Sequence, residues 1–144
     1  MVLDTSALVA VLFDEPERKE LVAAIAAARR RLISAVTLVE ASIVVESRRG
    51  EIAGRELDLL LHRATVQTVA VDEEQAQIAR AAWRRFGKGR HPAGLNFGDV
   101  FAYALARISG EELLFKGQDF ARTDVVPAQA SSTSARARAP ESRP

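Results

Sequence analysis

The sequence opens with MVLDTSAL, residues 1–8, and this stretch indicates the fold. Val2 and Leu3 form a short apolar pair typical of a buried strand. Beyond Asp4, the apolar residues of 8–12 recur at helical spacing. A buried strand that runs directly into a helix is the first half of a parallel α/β unit, so we expect the rest of the chain to repeat this order.

The same order of strand and helix recurs along the chain. Further candidate strands lie at 32–33, 66–71 and 113–115, with a short edge strand at 125–126. Candidate helices begin after Asp14 and Ser34, run over 52–64 beyond Gly50, follow Asp72 in a capping box with Gln75, and start again at Asn96 or Gly98. Strands that alternate with helices predict an α/β sandwich of three layers, in which a small, mainly parallel central sheet has helices on both faces.

Composition limits the class of protein more than its partners. The chain has 144 residues, 48% hydrophobic and 27% charged, with a net charge of +1, which is typical of one soluble globular domain. Cysteine is absent, which excludes disulfides and thiolate metal sites and is compatible with the cytoplasm, where we expect the protein to act. No apolar run reaches the roughly 18 residues of a transmembrane helix, so we expect no membrane association.

The composition changes near the C-terminus. From Ala128 to Pro144 the chain is rich in Ala, Ser, Arg and Pro and has no apolar periodicity. We therefore predict one folded domain over residues 1–127 and a disordered tail over 128–144.

Four acidic residues stand where predicted strands end or the following helices begin. They are Asp4, Glu40, Asp99 and Asp119. Because the carboxyl ends of parallel strands meet at one edge of a sheet, these four side chains are expected to converge. Each alone also has a structural explanation: Asp4 can cap a helix, Thr37 and Glu40 can form a capping box, Asp99 can favour a helix dipole and Asp119 can shape a turn.

The joint placement indicates a chemistry. Two carboxylates about 4 Å apart repel by roughly 4 kcal/mol at an effective dielectric constant of 20, so a cation or shared protons must neutralise them. Oxygen ligands without cysteine or paired histidine favour Mg²⁺ or Mn²⁺ over Zn²⁺. A divalent cation held in this way suits phosphodiester hydrolysis.

The same residues resemble the four acidic motifs of PIN domains, in particular those of VapC-type toxins. The motifs are VLDTSAL at 2–8, Glu40, GLNFGD at 94–99 and FKGQDF at 115–120, and the resemblance extends to about Pro127. It implies an Mg²⁺- or Mn²⁺-dependent endoribonuclease that cuts structured RNA such as tRNA or rRNA. It also implies a homodimer and a complex with a cognate VapB-type antitoxin. Asp4 and Asp99 would be the principal metal ligands, completed by Glu40 and Asp119.

Substrate contacts are expected beside the acids. A basic segment, with Arg84, Arg85, Lys88, Arg90 and His91, precedes the third acidic motif and could hold RNA phosphates, although a solvated helix end would look the same. Arg90 is the main candidate there, and Ser6, Asn96 and Lys116 are the others.

Trp83, Tyr103 and the phenylalanines have the spacing of core residues, so no base-stacking platform is expected. Leu57, Leu60 and Leu61 could exceed the needs of the core and serve a dimer or antitoxin surface.

Two other functions are compatible with part of the pattern. A receiver-like domain is suggested by Asp4, Asp72 and Lys116, each at the end of a candidate strand, but it leaves three acids unexplained and lacks a second acid beside Asp4. A catalytically silent module could use its acids to bind an arginine-rich partner. Metal-dependent cleavage of RNA separates both from a nuclease.

Overall fold

A computed structural model describes residues 1–130 of the chain. Its strands are β1 (Val2–Leu3), β2 (Leu32–Ser34), β3 (Gln67–Val69) and β4 (Leu113–Leu114). Its helices are α1 (Thr5–Leu12), α2 (Arg18–Ala27), α3 (Ala35–Arg63), α4 (Glu73–Phe86) and α5 (Phe97–Ser109), followed by a 3₁₀ turn at Phe120–Arg122. No helix in this part of the chain is long and apolar enough to span a bilayer.

The four strands form one parallel sheet in the order β3-β2-β1-β4. Val2 is in register with Leu32 on one side and with Leu113 on the other. The edge strand expected at 125–126 is reduced to a single bridge between Leu113 and Pro127. The bridge uses the Val126 carbonyl and the Ala128 N–H, so the nitrogen of Pro127, which has no hydrogen to donate, faces away from β4.

Alternation along the strands builds two cores, one on each face of the sheet. Val2, Leu32 and Leu113 pack with α4 and α5. Their neighbours Leu3, Ile33 and Leu114 pack with α1, α2 and α3. Because successive strand residues point to opposite faces, each apolar pair serves both layers of helices. The predicted three-layer α/β sandwich is confirmed.

The ends of the helices show how the chain turns between layers. Ser34 and Asp72 cap α3 and α4 as expected, accepting hydrogen bonds from Val36 N at 3.3 Å and Gln75 N at 2.9 Å. The capping box expected between Asp72 and Gln75 is wrong, because the Gln75 amide donates instead to the Ala70 carbonyl. Gly50 breaks α3 with a φ of 74° and a ψ of −172°, which confirms the stop predicted there and sends the second half of the helix in a new direction.

Folded structure continues slightly past the expected domain boundary. Ala128 is buried, and its N–H donates to the Leu113 carbonyl at 2.9 Å. Most of the predicted disordered tail lies outside the described residues, so its disorder stays a prediction.

Candidate active site

Asp4 lies at the carboxyl end of β1, under the start of α1. Only 3% of its surface is exposed. Its Oδ2 atom accepts hydrogen bonds from the Ser6 backbone N at 3.0 Å and from Ser6 Oγ at 2.6 Å, so Asp4 does cap α1. Its Oδ1 atom is buried and has no hydrogen-bond partner among residues 1–130. Capping therefore accounts for one carboxylate oxygen and leaves the other available.

Glu40 reaches the same place from the second turn of α3. Its Oε1 atom accepts a hydrogen bond from Thr5 Oγ1 at 2.5 Å, next in sequence to Asp4. Its other oxygen lies against the backbone of Gly98, where an added Cβ atom would come within 1.6 Å of Oε2. Because α3 is capped by Ser34 rather than by Thr37, the capping-box explanation of Glu40 does not apply.

Asp99 and Asn96 begin α5. Asn96 Oδ1 accepts from Asp99 N at 3.0 Å, and Asp99 Oδ2 accepts from Asn96 N at 3.0 Å, which is a reciprocal capping box. The helix therefore starts after Asn96, one of the two starts expected. The capping box also fixes the Asp99 side chain at the N-terminus of α5, on the side of Glu40 and Gly98.

Asp119 is the most open of the four acids. It is exposed and precedes the 3₁₀ turn, where its carbonyl accepts a hydrogen bond from Arg122 N at 3.3 Å. The prediction that Asp119 shapes a turn is therefore confirmed for its backbone. Its carboxylate is free to act on the other acids through its charge.

Electrostatics joins the four acids into one neighbourhood. The pKa of Asp99 is raised from 3.8 to about 7, chiefly by burial and then by the charges of Asp4, Glu40 and Asp119, against an opposing hydrogen bond from Asn96. The pKa of Asp4 is likewise raised from 3.8 to about 6, chiefly by burial and with a smaller contribution from the Glu40 charge, against the hydrogen bonds from Ser6. The structure therefore brings the predicted acids together.

The four expected substrate-binding residues lie in different surroundings. Ser6 Oγ donates to Asp4 and accepts from the Lys116 backbone N at 2.9 Å, so it links β1 to the segment after β4. The Lys116 ammonium pairs with Glu15 at 2.5 Å and with Glu17 at 3.2 Å, and these hydrogen bonds raise its pKa. Asn96 caps α5, and Arg90 lies over the ring of Trp83, 4.2 Å from its centroid. Their contact with substrate stays a prediction.

Sequence reasoning missed two residues of this site. Thr5 is one of them, because its hydroxyl donates to Oε1 of Glu40. Gly98 was considered only as a helix start, whereas it leaves the space that the Glu40 carboxylate fills. A glycine in the first turn of a helix beside an acidic motif is only a weak sign of a close contact in the sequence. The structure is needed to show which side chain fills the space that the glycine leaves.

The donor set fits a hard divalent cation in its chemical type. It consists of carboxylates, one of which has a buried oxygen without a partner. Among residues 1–130, however, no three acidic or histidine side chains already stand in the arrangement of a metal site. The pocket therefore collects suitable ligands, and their mutual repulsion is what a cation would relieve.

Comparison with known proteins places this site in a family. The PIN domain family model matches residues 1–126. A ribonuclease VapC from Mycolicibacterium smegmatis is 60% identical over 126 residues, which are 88% of this chain and 98% of that protein. Among solved structures, the Mycobacterium tuberculosis VapC20, described as a Sarcin-Ricin loop cleaving toxin, has a TM-score of 0.72 at 18% identity and covers 87% of this chain and 95% of its own. A toxin–antitoxin complex from Klebsiella pneumoniae has a TM-score of 0.67 at 18% identity, over 93% of this chain and 97% of that one. With a family match over nearly the whole folded region and a relative this similar, the chain belongs to the PIN domain family, as a VapC-type member.

Proposed function

We propose that this VapC-type protein hydrolyses phosphodiester bonds in RNA with the help of a divalent cation, as the toxin of a toxin–antitoxin pair. One observation carries the proposal: the buried Oδ1 atom of Asp4 has no partner in the described structure and lies in a group of four acids. A buried carboxylate oxygen without a hydrogen bond or counterion is costly, so its retention at this edge of the sheet favours a ligand that the site is built to receive.

Asp4 and Asp99 are the residues that would hold the cation, with Glu40 and Asp119 beside them. When bound, Mg²⁺ or Mn²⁺ supplies a polarised water and positive charge for the phosphate oxygens. The described residues favour these hard cations because every donor is oxygen.

The chain's own residues prepare the site by fixing the carboxylates. Ser6 holds Oδ2 of Asp4, Thr5 holds Oε1 of Glu40, and Asn96 holds Oδ2 of Asp99. In each case one oxygen is held by a hydrogen bond while the other stays free of that bond. Carboxylates oriented by neighbouring groups lose less conformational freedom when they bind a ligand.

Structured RNA, either tRNA or rRNA, is the substrate we propose. The support is the kinship with proteins named as VapC ribonucleases, together with the fold shared with a toxin described as cleaving the sarcin-ricin loop. Such substrates would place the action of the protein in the cytoplasm.

The receiver-like alternative finds no support in the geometry. Asp72 caps α4 through Gln75, and the ammonium of Lys116 is paired with Glu15 and Glu17. A receiver would need a lysine and further acids grouped with the Asp4 carboxylate. The other alternative, a binding module without catalytic activity, has to be tested by an activity experiment.

The deciding experiment is to sequence the new 5′ ends in total RNA after treatment with the purified protein and Mn²⁺. We expect a restricted set of new ends, which disappear with EDTA and in the Asp4→Ala and Asp99→Asn variants. Asp58→Asn, which changes an exposed acid of α3, is the matched control and should cut normally. If Asp99→Asn produced the same ends as the unchanged protein, the nuclease proposal would be wrong. Calorimetric titration with Mn²⁺ provides a second reading that does not depend on activity.

A VapB-type antitoxin is the partner we propose for a groove on the opposite layer from α4 and α5. The groove, with a volume of about 890 Å³, is formed by α1, α2 and the second half of α3. Val22 and Leu59 line it and stay partly exposed, whereas Leu57 and Leu61 are buried in the core. A groove between helices that is lined by apolar side chains together with charged ones, among them Asp14, Arg18 and Glu56, suits an amphipathic segment of a partner.

A homodimer is also proposed, through a different surface. Val39 and Ile43 lie one turn apart on the first half of α3 and are 57% and 60% exposed. Two large apolar side chains at this spacing form a stripe that a second copy of the chain can cover.

A further inference from the structure

Helices α4 and α5 leave between them a cleft with a volume of about 520 Å³. The residues that matter for its chemistry are Arg80, Trp83, Arg84, Phe97 and Phe101. Trp83 is 42% exposed and Phe97 is 75% exposed, so the expectation that these aromatic residues belong to the core is wrong. Their helical spacing is that of a packed face, but both rings line the open cleft between the two helices.

The cleft and the proposed metal site share the N-terminal end of α5. Phe97 is the first residue of α5, two positions before Asp99, and residues two apart on a helix do not face each other, so Phe97 and Asp99 lie in the same turn on different sides of α5. The Phe97 ring contacts Phe101 edge-on, with 5.1 Å between centroids. A large exposed ring in this position has a flat face to offer to whatever chain passes the acids.

The charges around the cleft are positive and unpaired. Arg80, Arg84 and Arg90 have no carboxylate partner in the described part of the chain. Arg85, by contrast, pairs with Asp124 at 3.1 Å. Arg90 covers one face of the Trp83 indole, which places a cation at the rim. No acidic residue lines the cleft. The surface thus combines aromatic rings with cations that are free to meet an anion.

We propose that this cleft binds an unpaired base of the RNA strand that carries the phosphate to be cut. Trp83 and Phe97 provide the stacking surfaces, and the three arginines contact the phosphates on either side. Flat rings beside unpaired basic groups are the features by which proteins hold single-stranded nucleic acid. The proposal rests on the function proposed above and adds the element that would select a loop or bulge over a paired helix.

A second copy of the chain fits this cleft less well than RNA does. A two-fold interface places the same patch on both sides, so Arg80 and Arg84 would face arginines of the other copy. Like charges brought together in this way oppose association. RNA brings the complementary charge with every nucleotide.

The sole tryptophan of the sequence, Trp83, provides a direct readout. We would titrate the full chain with a single-stranded RNA oligonucleotide in Ca²⁺, check that the RNA stays intact, and follow the tryptophan fluorescence. An oligonucleotide of the same length with abasic sites carries the same charge and no bases. We expect saturable quenching by the first and none by the second.

Variants identify the contacts. Phe97→Ala should weaken binding by roughly 5- to 150-fold, the range that stacking on one aromatic side chain supports. Arg84→Gln should weaken it and reduce its salt dependence. Two controls change exposed residues away from the cleft. Ile52→Ala changes an apolar residue of α3, and Arg29→Gln changes an arginine at the opposite edge of the sheet, so both variants should bind RNA normally. Melting curves of the variants should match that of the unchanged protein.

Three outcomes would overturn the proposal. The first is equal quenching by the abasic strand, and the second is normal RNA binding by Phe97→Ala. The third is a change of tryptophan fluorescence with protein concentration in the absence of RNA that is lost in Phe97→Ala. That third result would assign the cleft to self-association. Cleavage is scored separately in Mn²⁺. If base-dependent quenching occurs while no RNA is cut, the nuclease proposal fails and the base-binding cleft stands.

Discussion

Asp4 serves the fold and the site through different atoms of one carboxylate. Oδ2 accepts two hydrogen bonds from Ser6 and caps α1, while Oδ1 stays buried without a partner in the described structure. Asp99 divides its roles in a similar way, with Oδ2 in the capping box of α5. At the scale of single residues, capping and metal binding are therefore compatible. Each cap orients the carboxylate that the site needs.

Gly98 provides the sharpest test of Glu40. In Gly98→Ala the new methyl group would lie within 1.6 Å of Glu40 Oε2, so the carboxylate must move. The atom displaced is the end of a flexible side chain, and alanine favours a helix over glycine by up to about 1 kcal/mol. We expect the free energy of unfolding to stay within about 1 kcal/mol of its original value, while RNA cleavage falls tenfold or more, measured by urea unfolding and by initial rates.

The chain offers a matched control for this change. An alanine at Gly54 would come within 2.2 Å of Oε1 of Glu46, which is the same collision outside the site. Gly54→Ala should therefore leave cleavage unchanged. Equal losses of activity in both variants would show that Glu40 has no special place in the reaction.

The pKa values of Asp4 and Asp99 predict how the metal-free protein responds to pH. Both are raised, to about 6 and about 7, above the ordinary value of 3.8, so the folded state binds protons that the unfolded state has released. Stability from this source is complete below pH 3.8 and is lost as the pH rises through about 6 and 7. We expect the melting temperature in EDTA to fall by several degrees between pH 5 and 8, measured by circular dichroism.

Removing one of these charges tests the cause. Asp99→Asn keeps an oxygen for the capping box and cannot ionise, so its melting temperature should change less over the same pH range. Added Mg²⁺ or Mn²⁺ should reverse most of the fall in the unchanged protein. An identical pH dependence in Asp99→Asn would contradict the assignment.

At the scale of elements, Arg31 joins the ends of two helices. Its guanidinium donates to the carbonyls of Ile25 at 2.5 Å and Ala26 at 3.0 Å in α2, and to that of Ala64 at 3.1 Å after α3. We expect Arg31→Met, which keeps the apolar stem, to lower the free energy of unfolding by about 1–3 kcal/mol in urea titrations. Arg29→Met changes an exposed neighbour and should have little effect. A stability equal to that of Arg29→Met would mean that the three bonds contribute nothing net.

The three arginines at 29–31 also show how far sequence reasoning reaches. Their position predicts a favourable helix end, but only the approach of α3 decides that Arg31 bridges two helices while Arg30 pairs with Glu111. The alternation of strands with helices and the convergence of the acids were predictable, because parallel strands bring their carboxyl ends to one edge. The exposed rings of Trp83 and Phe97 were not, since periodicity gives the face of a helix and not the width of the gap beside it.

At the scale of the whole molecule, the acidic site and the α1–α3 groove lie on different parts of the sandwich. The site occupies the carboxyl edge of the sheet, while the groove lies between helices of one layer. A substitution in the groove proposed for the antitoxin should therefore leave the proposed catalytic residues undisturbed. This separation allows binding and cleavage to be tested independently.

Leu59 is the residue at which binding of the antitoxin to the groove can be tested most directly. It is 44% exposed, so Leu59→Asp should leave the fold and RNA cleavage intact. A charge buried against an apolar partner segment is costly, and we expect the affinity for the antitoxin to fall by roughly tenfold to several hundredfold. The measurement is co-purification with the product of the small open reading frame expected upstream of the gene, together with inhibition of cleavage by that product. Ile52→Asp, at a 71% exposed position of the same helix outside the groove, should bind and be inhibited normally. If Leu59→Asp retained the antitoxin as well as Ile52→Asp does, the partner would have to dock on another surface.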